Sequence, residues 1–327
     1  MFITPKFWRR WTPGFACAYG LLRSDIQVEQ DGSCVTHPRR IAVQSNTLFD
    51  CASLTKPLIT AQLIRKLGVD PDSCVGFGRE AAKFPRGIPT VRDLMNHTAG
   101  MPGWLPVYAL AATADDALRR LPSLQETEPG KRTEYSCPGY ILLGWWLERE
   151  TGQTLSALAV RHLFQPLKLG ADAFFPLPPD APRERVAAAE FGNRIERKMC
   201  DGKARRRSSP IWGEVHDGNA FFLGGAAGNA GLFATAGAVA RLARSAWTAP
   251  GGSPPPGTYW MGFKTGGGET CFPEGALGHN GFTGTSVCLH RKRKGVSVLL
   301  TNRLHREHPK DLYPLRRTFH AWVEKGM

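Results

Sequence analysis

Phe49-Asp50-Cys51-Ala52-Ser53-Leu54-Thr55-Lys56-Pro57-Leu58 is the stretch around which the chain is organised. Ser53 and Lys56 are three residues apart, which on a helix puts both side chains on one face, about 5–6 Å apart at Cβ. A serine hydroxyl is a poor nucleophile until a neighbouring base takes its proton. A buried lysine can be that base, because desolvation disfavours the ammonium form. The four letters alone carry little weight, since a surface lysine one turn after a helix-start serine reads the same way. The setting adds weight. Leu54, Leu58, Ile59, Leu63 and Ile64 follow at helical spacing, so the pattern predicts a buried helix running to about Leu67. No other Ser-x-x-Lys occurs in the sequence.

Length and composition bound the rest. A chain of 327 residues suits one large domain or two interleaved ones, and an apolar share of 42% fills a sizeable core. Lys and Arg number 42 against 28 Asp and Glu, a formal net charge of +14 that favours acidic partners. The excess gathers at Lys203 to Arg207 and at Arg291 to Lys294, where solvated turns are the simpler explanation. The eight cysteines contain no Cys-x-x-Cys and no zinc spacing, so they read as reduced, buried small hydrophobes. The start of the chain lacks a clean apolar run after its basic residues, and no stretch approaches the roughly 20 apolar residues of a membrane span. The expectation is a soluble, cytoplasmic protein with no membrane span.

In chain order, Phe15–Leu22 and Ile26–Gln30 read as a hairpin followed by an Asp31-Gly32 turn. Thr90-Val-Arg-Asp93 is a capping box for a short helix. Ala111 to Leu121 and Tyr140 to Arg149 are helical, the latter with Pro138 in its first turn. Thr154 caps a helix through Phe164, and residues 171–212 show little periodicity. The glycine run from Gly224 to Gly231 lacks the ending of a phosphate loop, so it predicts tight packing ahead of a helix over 236–247. Thr285–His290 and Gly295–Thr301 read as a hairpin, and Asp311 to Lys325 as a final helix. The order predicts an α/β fold of the α+β kind: an antiparallel sheet from both chain ends, flanked by helices, with an inserted, mostly helical region. The expected division is 1–85 with 225–327 as the sheet domain and 86–224 as the insertion.

Thr47 to Pro57, Val91 to Pro102, Tyr135-Ser136, His216-Asp217, Ala230 to Thr235, His279 to Thr285 and Leu299 to Arg303 together resemble the serine β-lactamase-like hydrolases. That family includes penicillin-binding proteins, class C β-lactamases, D-amino-acid peptidases and related esterases. The resemblance implies acyl transfer, with Ser53 as nucleophile, Lys56 as proton acceptor or tuning charge, and Tyr135 as the tyrosine of the second motif. An unperturbed phenol titrates far above pH 7, so a proton-shuttling Tyr135 requires a nearby cation, Lys56, to lower its pKa. Where lactamases carry Tyr-x-Asn, this chain has Cys137. A thiol is a weak hydrogen-bond partner, which disfavours lactam turnover and makes ester cleavage more plausible. Two stretches compete for the third motif. Lys264-Thr265-Gly266 reads as loop; His279-Asn280-Gly281 leads into a strand and is preferred. The N–H groups of Ser53 and Phe282 would then form the oxyanion hole.

His97 and His216-Asp217 read as loop-packing residues, and His305 with His308 lacks the carboxylate or cysteine that would complete a metal set. The candidate site is therefore Ser53, Lys56 and Tyr135 for catalysis, with Cys137, His279, Asn280, Gly281 and Phe282 for substrate binding. No metal or cofactor is required. The expected partner is a small ester, amide or peptide substrate, with no nucleic acid; the sequence sets no oligomeric state. The expected activity is that of an esterase or D-amino-acid-type peptidase. The rivals are a β-lactamase and a non-catalytic module holding an acidic polymer or cell-wall fragment.

Overall fold

The computed structural model describes residues 8–327 except 77, 203, 205, 248–254 and 256. Part of the basic run at 203–207 and the first residues of the chain therefore lie outside the described residues. Among the described residues, eight strands form one antiparallel sheet in the order β3-β2-β1-β11-β10-β9-β8-β7. Its strands are β1 (Gly14–Leu21), β2 (Gln27–Val35), β3 (Ile41–Ala42), β7 (Tyr259–Trp260), β8 (Phe263–Thr265), β9 (Leu277–Asn280), β10 (Ser286–His290) and β11 (Gly295–Thr301). The first three come from one end of the chain and the last five from the other. They meet where Phe15 to Leu21 pairs with Thr301 back to Gly295. Three two-residue strands, β4 (Phe49–Asp50), β5 (Ala173–Phe174) and β6 (Phe233–Ala234), form a small second sheet in the order β4-β6-β5.

Alternation along the central strands assigns a helix to each face of the large sheet. Ala16, Ala18, Val296, Val298 and Leu300 cluster with Ala238, Val239 and Leu242 of helix Ala236–Ser245. Phe15, Cys17 and Leu299, on the opposite face, cluster with Leu315, Phe319 and Val323 of helix Tyr313–Gly326. Each fully buried Leu, Val or Phe of this kind contributes about 1.5–3 kcal/mol relative to exposure, which is what ties the two chain ends together.

The middle of the chain supplies helices, numbered with the others in chain order: α1 (Ala61–Lys66), α2 (Val91–Met95), α3 (Ala114–Arg120), α4 (Cys137–Thr151), α5 (Leu155–Ala159), α6 (Arg194–Met199), α7 (Gly218–Phe222), α8 (Ala236–Ser245) and α9 (Tyr313–Gly326). The Thr90–Asp93 capping box forms at the start of α2. Helix α4 is buried without interruption from Cys137 to Leu147, as expected of a segment apolar on all sides. Ser136 caps its start by accepting the Gly139 N–H, and Gly152 closes it at φ +65°. The glycine run does pack tightly: a Cβ on Gly228 would collide with the Tyr140 carbonyl oxygen.

Two local expectations are corrected. The Asp31-Gly32 turn is not a turn; Gly32 adopts φ +86° inside β2, opposite Gly14, and the strand continues to Val35. Glycine lets the strand bend there without ending. Lys264 is not in a loop but on β8, between Tyr259 of β7 and Gly278 of β9. Glycines 266–268 mark the end of this short strand. The segment 171–212 contains the short strand β5 and helix α6, both too short to show a period.

Candidate active site

Ser53 sits in a tight turn between β4 and α1. Residues Ala52–Leu54 form a 3₁₀ turn, and Lys56–Thr60 follow as a π-helical turn before α1 begins. One long helix was expected here; the structure tightens its start instead. Ala52 lies in the left-handed region at φ +48°, a conformation that costs a non-glycine residue about 1–3 kcal/mol. Asp50 holds it there. One carboxylate oxygen accepts the Ala52 N–H at 2.8 Å, and the other accepts the His216 N–H at 2.7 Å. Thr55 Oγ1 adds a bond to the Ala52 carbonyl at 2.7 Å.

Lys56 is fully buried, and its Nζ has three neighbours within hydrogen-bond reach. Nζ lies 2.9 Å from Ser53 Oγ, 3.2 Å from the Asn229 carbonyl and 3.5 Å from Cys137 Sγ. It also stands 5.0 Å above the ring of Tyr135 and 5.8 Å from that of Tyr140. The Tyr135 phenol lines the same cleft as Ser53 and Cys137 and is close enough for both to act on its pKa. The hydroxyl, amine and phenol, separated by up to 82 positions in sequence, thus converge at one point.

The pKa of Tyr135 moves opposite to the expected direction. Burial raises it well above the usual phenol range and the Cys137 thiol adds to this, while the nearby Ser53 hydroxyl pulls only partly the other way. Tyr135 is therefore a neutral phenol in the resting site. His97, read as loop packing, supports it: His97 Nδ1 accepts the Ser136 N–H at 3.0 Å, and its ring lies 4.6 Å from that of Tyr135. Burial, then the charge of Lys56, holds His97 far below the usual imidazole range, so the ring is neutral.

Strand β9 and the turn after it form the opposite wall. Thr283 Oγ1 bonds the Asp50 carbonyl at 2.7 Å and Thr285 Oγ1 bonds the Cys51 carbonyl at 3.0 Å, docking the turn on the nucleophile. Gly281 is required by this approach, since a Cβ there would meet the Cys51 oxygen at 2.7 Å. The His279 pKa falls to about 3, through burial and then Lys56. Nδ1 faces the Asn280 carbonyl at 2.9 Å and so carries the proton. Nε2, left without a partner, borders the cleft as an acceptor. Asn280 pairs with Cys271 Sγ at 3.2 Å.

All eight predicted site residues except Lys56, which lies beneath the floor, line one cleft of about 650 Å³. Trp104, Glu196, Asp217, Tyr259, Lys264, Arg303 and Arg316 also line it. His216 and Asp217 thus face the cleft rather than packing away from it. His216 stacks on Phe282 with ring centroids 5.7 Å apart and bonds Glu190 at 3.0 Å. Sequence reasoning gave no role to Asp50, although a carboxylate inside an apolar run two residues before Ala52 was a usable signal.

The Beta-lactamase family model matches residues 28–319, and the chain belongs to that family. It is a hydrolase of the serine β-lactamase and penicillin-binding type. A putative D-alanyl-D-alanine carboxypeptidase of Escherichia coli K12 is 30% identical over 322 aligned residues, covering 84% of this chain and 73% of that protein. Two solved structures share the fold. A β-lactamase/D-alanine carboxypeptidase from Yersinia pestis superimposes with a TM-score of 0.69 at 15% identity, covering 98% of this chain and 95% of that one. A D-amino acid amidase from Ochrobactrum anthropi does so with a TM-score of 0.66 at 18% identity, covering 97% and 95%. Among the described residues no helix is long and apolar enough to cross a membrane.

Proposed function

We propose that the chain cleaves small ester or amide substrates through an acyl-enzyme on Ser53, as an esterase or D-amino-acid-type peptidase. The observation that carries this reading is the 2.9 Å approach of Lys56 Nζ to Ser53 Oγ, with the ring of Tyr135 5.0 Å from the same nitrogen. In its amine form Lys56 takes the Ser53 proton as Oγ attacks the carbonyl carbon. The neutral phenol of Tyr135 is poised to hand a proton to the departing oxygen or nitrogen. Water then enters, and the same groups run in reverse to free Ser53. The Phe282 N–H has no acceptor among the described residues. The Ser53 N–H belongs to the donors that a helix start leaves unpaired. Both are available to the carbonyl oxygen as its charge develops.

Two features bear on the substrate. Cys137 offers a thiol where a lactamase offers an amide, which removes a donor for the acyl amide and weighs against lactams. Lys264 lines the cleft without a carboxylate partner among the described residues, which suits a substrate carboxylate and supports a peptidase. Matched assays with p-nitrophenyl esters, D-alanyl peptides and a chromogenic cephalosporin, each beside Ser53→Ala, test the reading. Turnover of esters or D-alanyl peptides that vanishes in the variant is expected. Turnover that persists in Ser53→Ala, or none with any substrate, would overturn it.

A further inference from the structure

Arg316 is a charged group in the cleft wall that the proposed chemistry leaves unused. It lies in the first turn of α9, behind the sheet, and is only 9% exposed. Among the described residues it forms no ion pair, and its Nε is buried without a partner. Burial lowers its pKa to about 10. Keeping a guanidinium in such a place is costly, and a methionine of similar length would remove the cost.

What Arg316 touches is informative. Its Nη2 donates to the Gly281 carbonyl at 2.7 Å and to the Thr285 carbonyl at 3.0 Å. Gly281 itself donates to the Thr285 carbonyl at 2.7 Å. The Gly281 C=O and the Phe282 N–H belong to one peptide unit. That unit is planar and trans, so its oxygen and its hydrogen point in opposite directions. A cation bonded to the oxygen end therefore fixes where the hydrogen end points. It also draws electron density toward the oxygen and makes the N–H a better donor. Arg303 completes the frame by donating from Nε to the next carbonyl, that of Phe282, at 3.1 Å.

We propose that Arg316 is a positioning residue for the reaction: through the Gly281–Phe282 peptide it aims and polarises the Phe282 N–H toward the oxyanion. This rests on the acyl-enzyme reading above, and the two can fail separately. The expected signature is a loss in the chemical step that does not depend on whether the substrate carries a charge.

The test uses full-length Arg316→Met and Arg316→Lys, with a neutral p-nitrophenyl ester and one bearing a terminal carboxylate. A boronic acid serves as a mimic of the tetrahedral state. Losing an oxyanion donor outright costs about 10²–10³ in rate, so a mis-aimed donor should cost about 10–10². Arg316→Met should lower kcat by that factor for both esters, leave KM within about twofold, and weaken boronate inhibition in proportion to kcat/KM. Arg316→Lys, which keeps the charge but reaches fewer acceptors, should recover part of kcat. An unchanged kcat in a folded variant would overturn the proposal. So would a loss confined to the carboxylate ester, which would make Arg316 a substrate-binding residue, or boronate affinity that stays put while kcat falls. If Arg316→Met does not fold, the same pattern in Arg316→Lys decides. Wild-type protein that is not labelled at Ser53 by a fluorophosphonate would sink the underlying reading as well. Labelled wild type with an indifferent Arg316 sinks only this one.

Discussion

Replacing Asp50 by alanine is the sharpest probe of how the nucleophile is held. The carboxylate joins two backbone donors, the N–H of Ala52 at 2.8 Å and that of His216 at 2.7 Å. Hydrogen bonds to a charged group contribute about 1.5–3 kcal/mol each, so removing two gives about 3–6 kcal/mol. Burial of the carboxylate, which raises its pKa, offsets part of that, and the lower end of the range is the expectation. The catalytic effect should be larger in relative terms. Ala52 stays at φ +48° only while its N–H is held. Once released, it relaxes toward the right-handed region and carries Ser53 away from Lys56. Asp50→Ala should lose about 3 kcal/mol in urea unfolding and react with a fluorophosphonate at least about tenfold more slowly. Asp50→Asn, which keeps one acceptor oxygen, should fall between. Stability within 1 kcal/mol of wild type, together with wild-type labelling, would refute the idea that Asp50 sets the nucleophile's geometry.

Other expectations follow from the same site. Tyr135→Phe removes a neutral phenol but keeps its packing against His97 and Lys56, so kcat should fall about 10²–10⁴-fold with little change in thermal stability. Cys137→Asn restores an amide beside Lys56; cephalosporin turnover should rise by at least about tenfold while ester turnover changes far less, and no gain would show that the thiol is not what limits lactams. His290, buried behind the sheet, has its pKa lowered to about 4 by burial. Below the unfolded value of about 6.5 the unfolded state binds a proton that the native state does not, so this group's stability is lost as pH falls from 6.5 toward 4. At pH 5 the loss is about 2 kcal/mol, from 1.5 pH units at about 1.36 kcal/mol each. Urea unfolding across pH 5–7 should be less pH-dependent in His290→Gln, and an unaltered slope would count against it.

Much of the frame was legible because it is written in local patterns. The spacing of Ser53 and Lys56 survives even though the backbone there is 3₁₀ and π rather than one regular helix, since three residues still make about one turn. Ser136 and Pro138 announce the start of α4, and β10 and β11 are two largely apolar runs on either side of a basic turn. Cross-strand partners were not legible. Lys264 looks like loop because β7 and β9 supply its partners, and Gly32 looks like a turn until Gly14 is seen opposite it. The sign of the Tyr135 shift depended on how deeply the ring is buried, which no spacing reveals. Arg316 lies 35 residues from the carbonyl it holds, on a helix whose sequence reads as an ordinary amphipathic cap on the sheet.

The acyl-enzyme itself is the most direct test. Intact-mass and peptide mass spectrometry after incubation with a fluorophosphonate should show one adduct per chain, on the peptide containing Ser53, and none in Ser53→Ala. An unmodified wild-type chain, or an adduct on any other residue that persists in Ser53→Ala, would contradict the account.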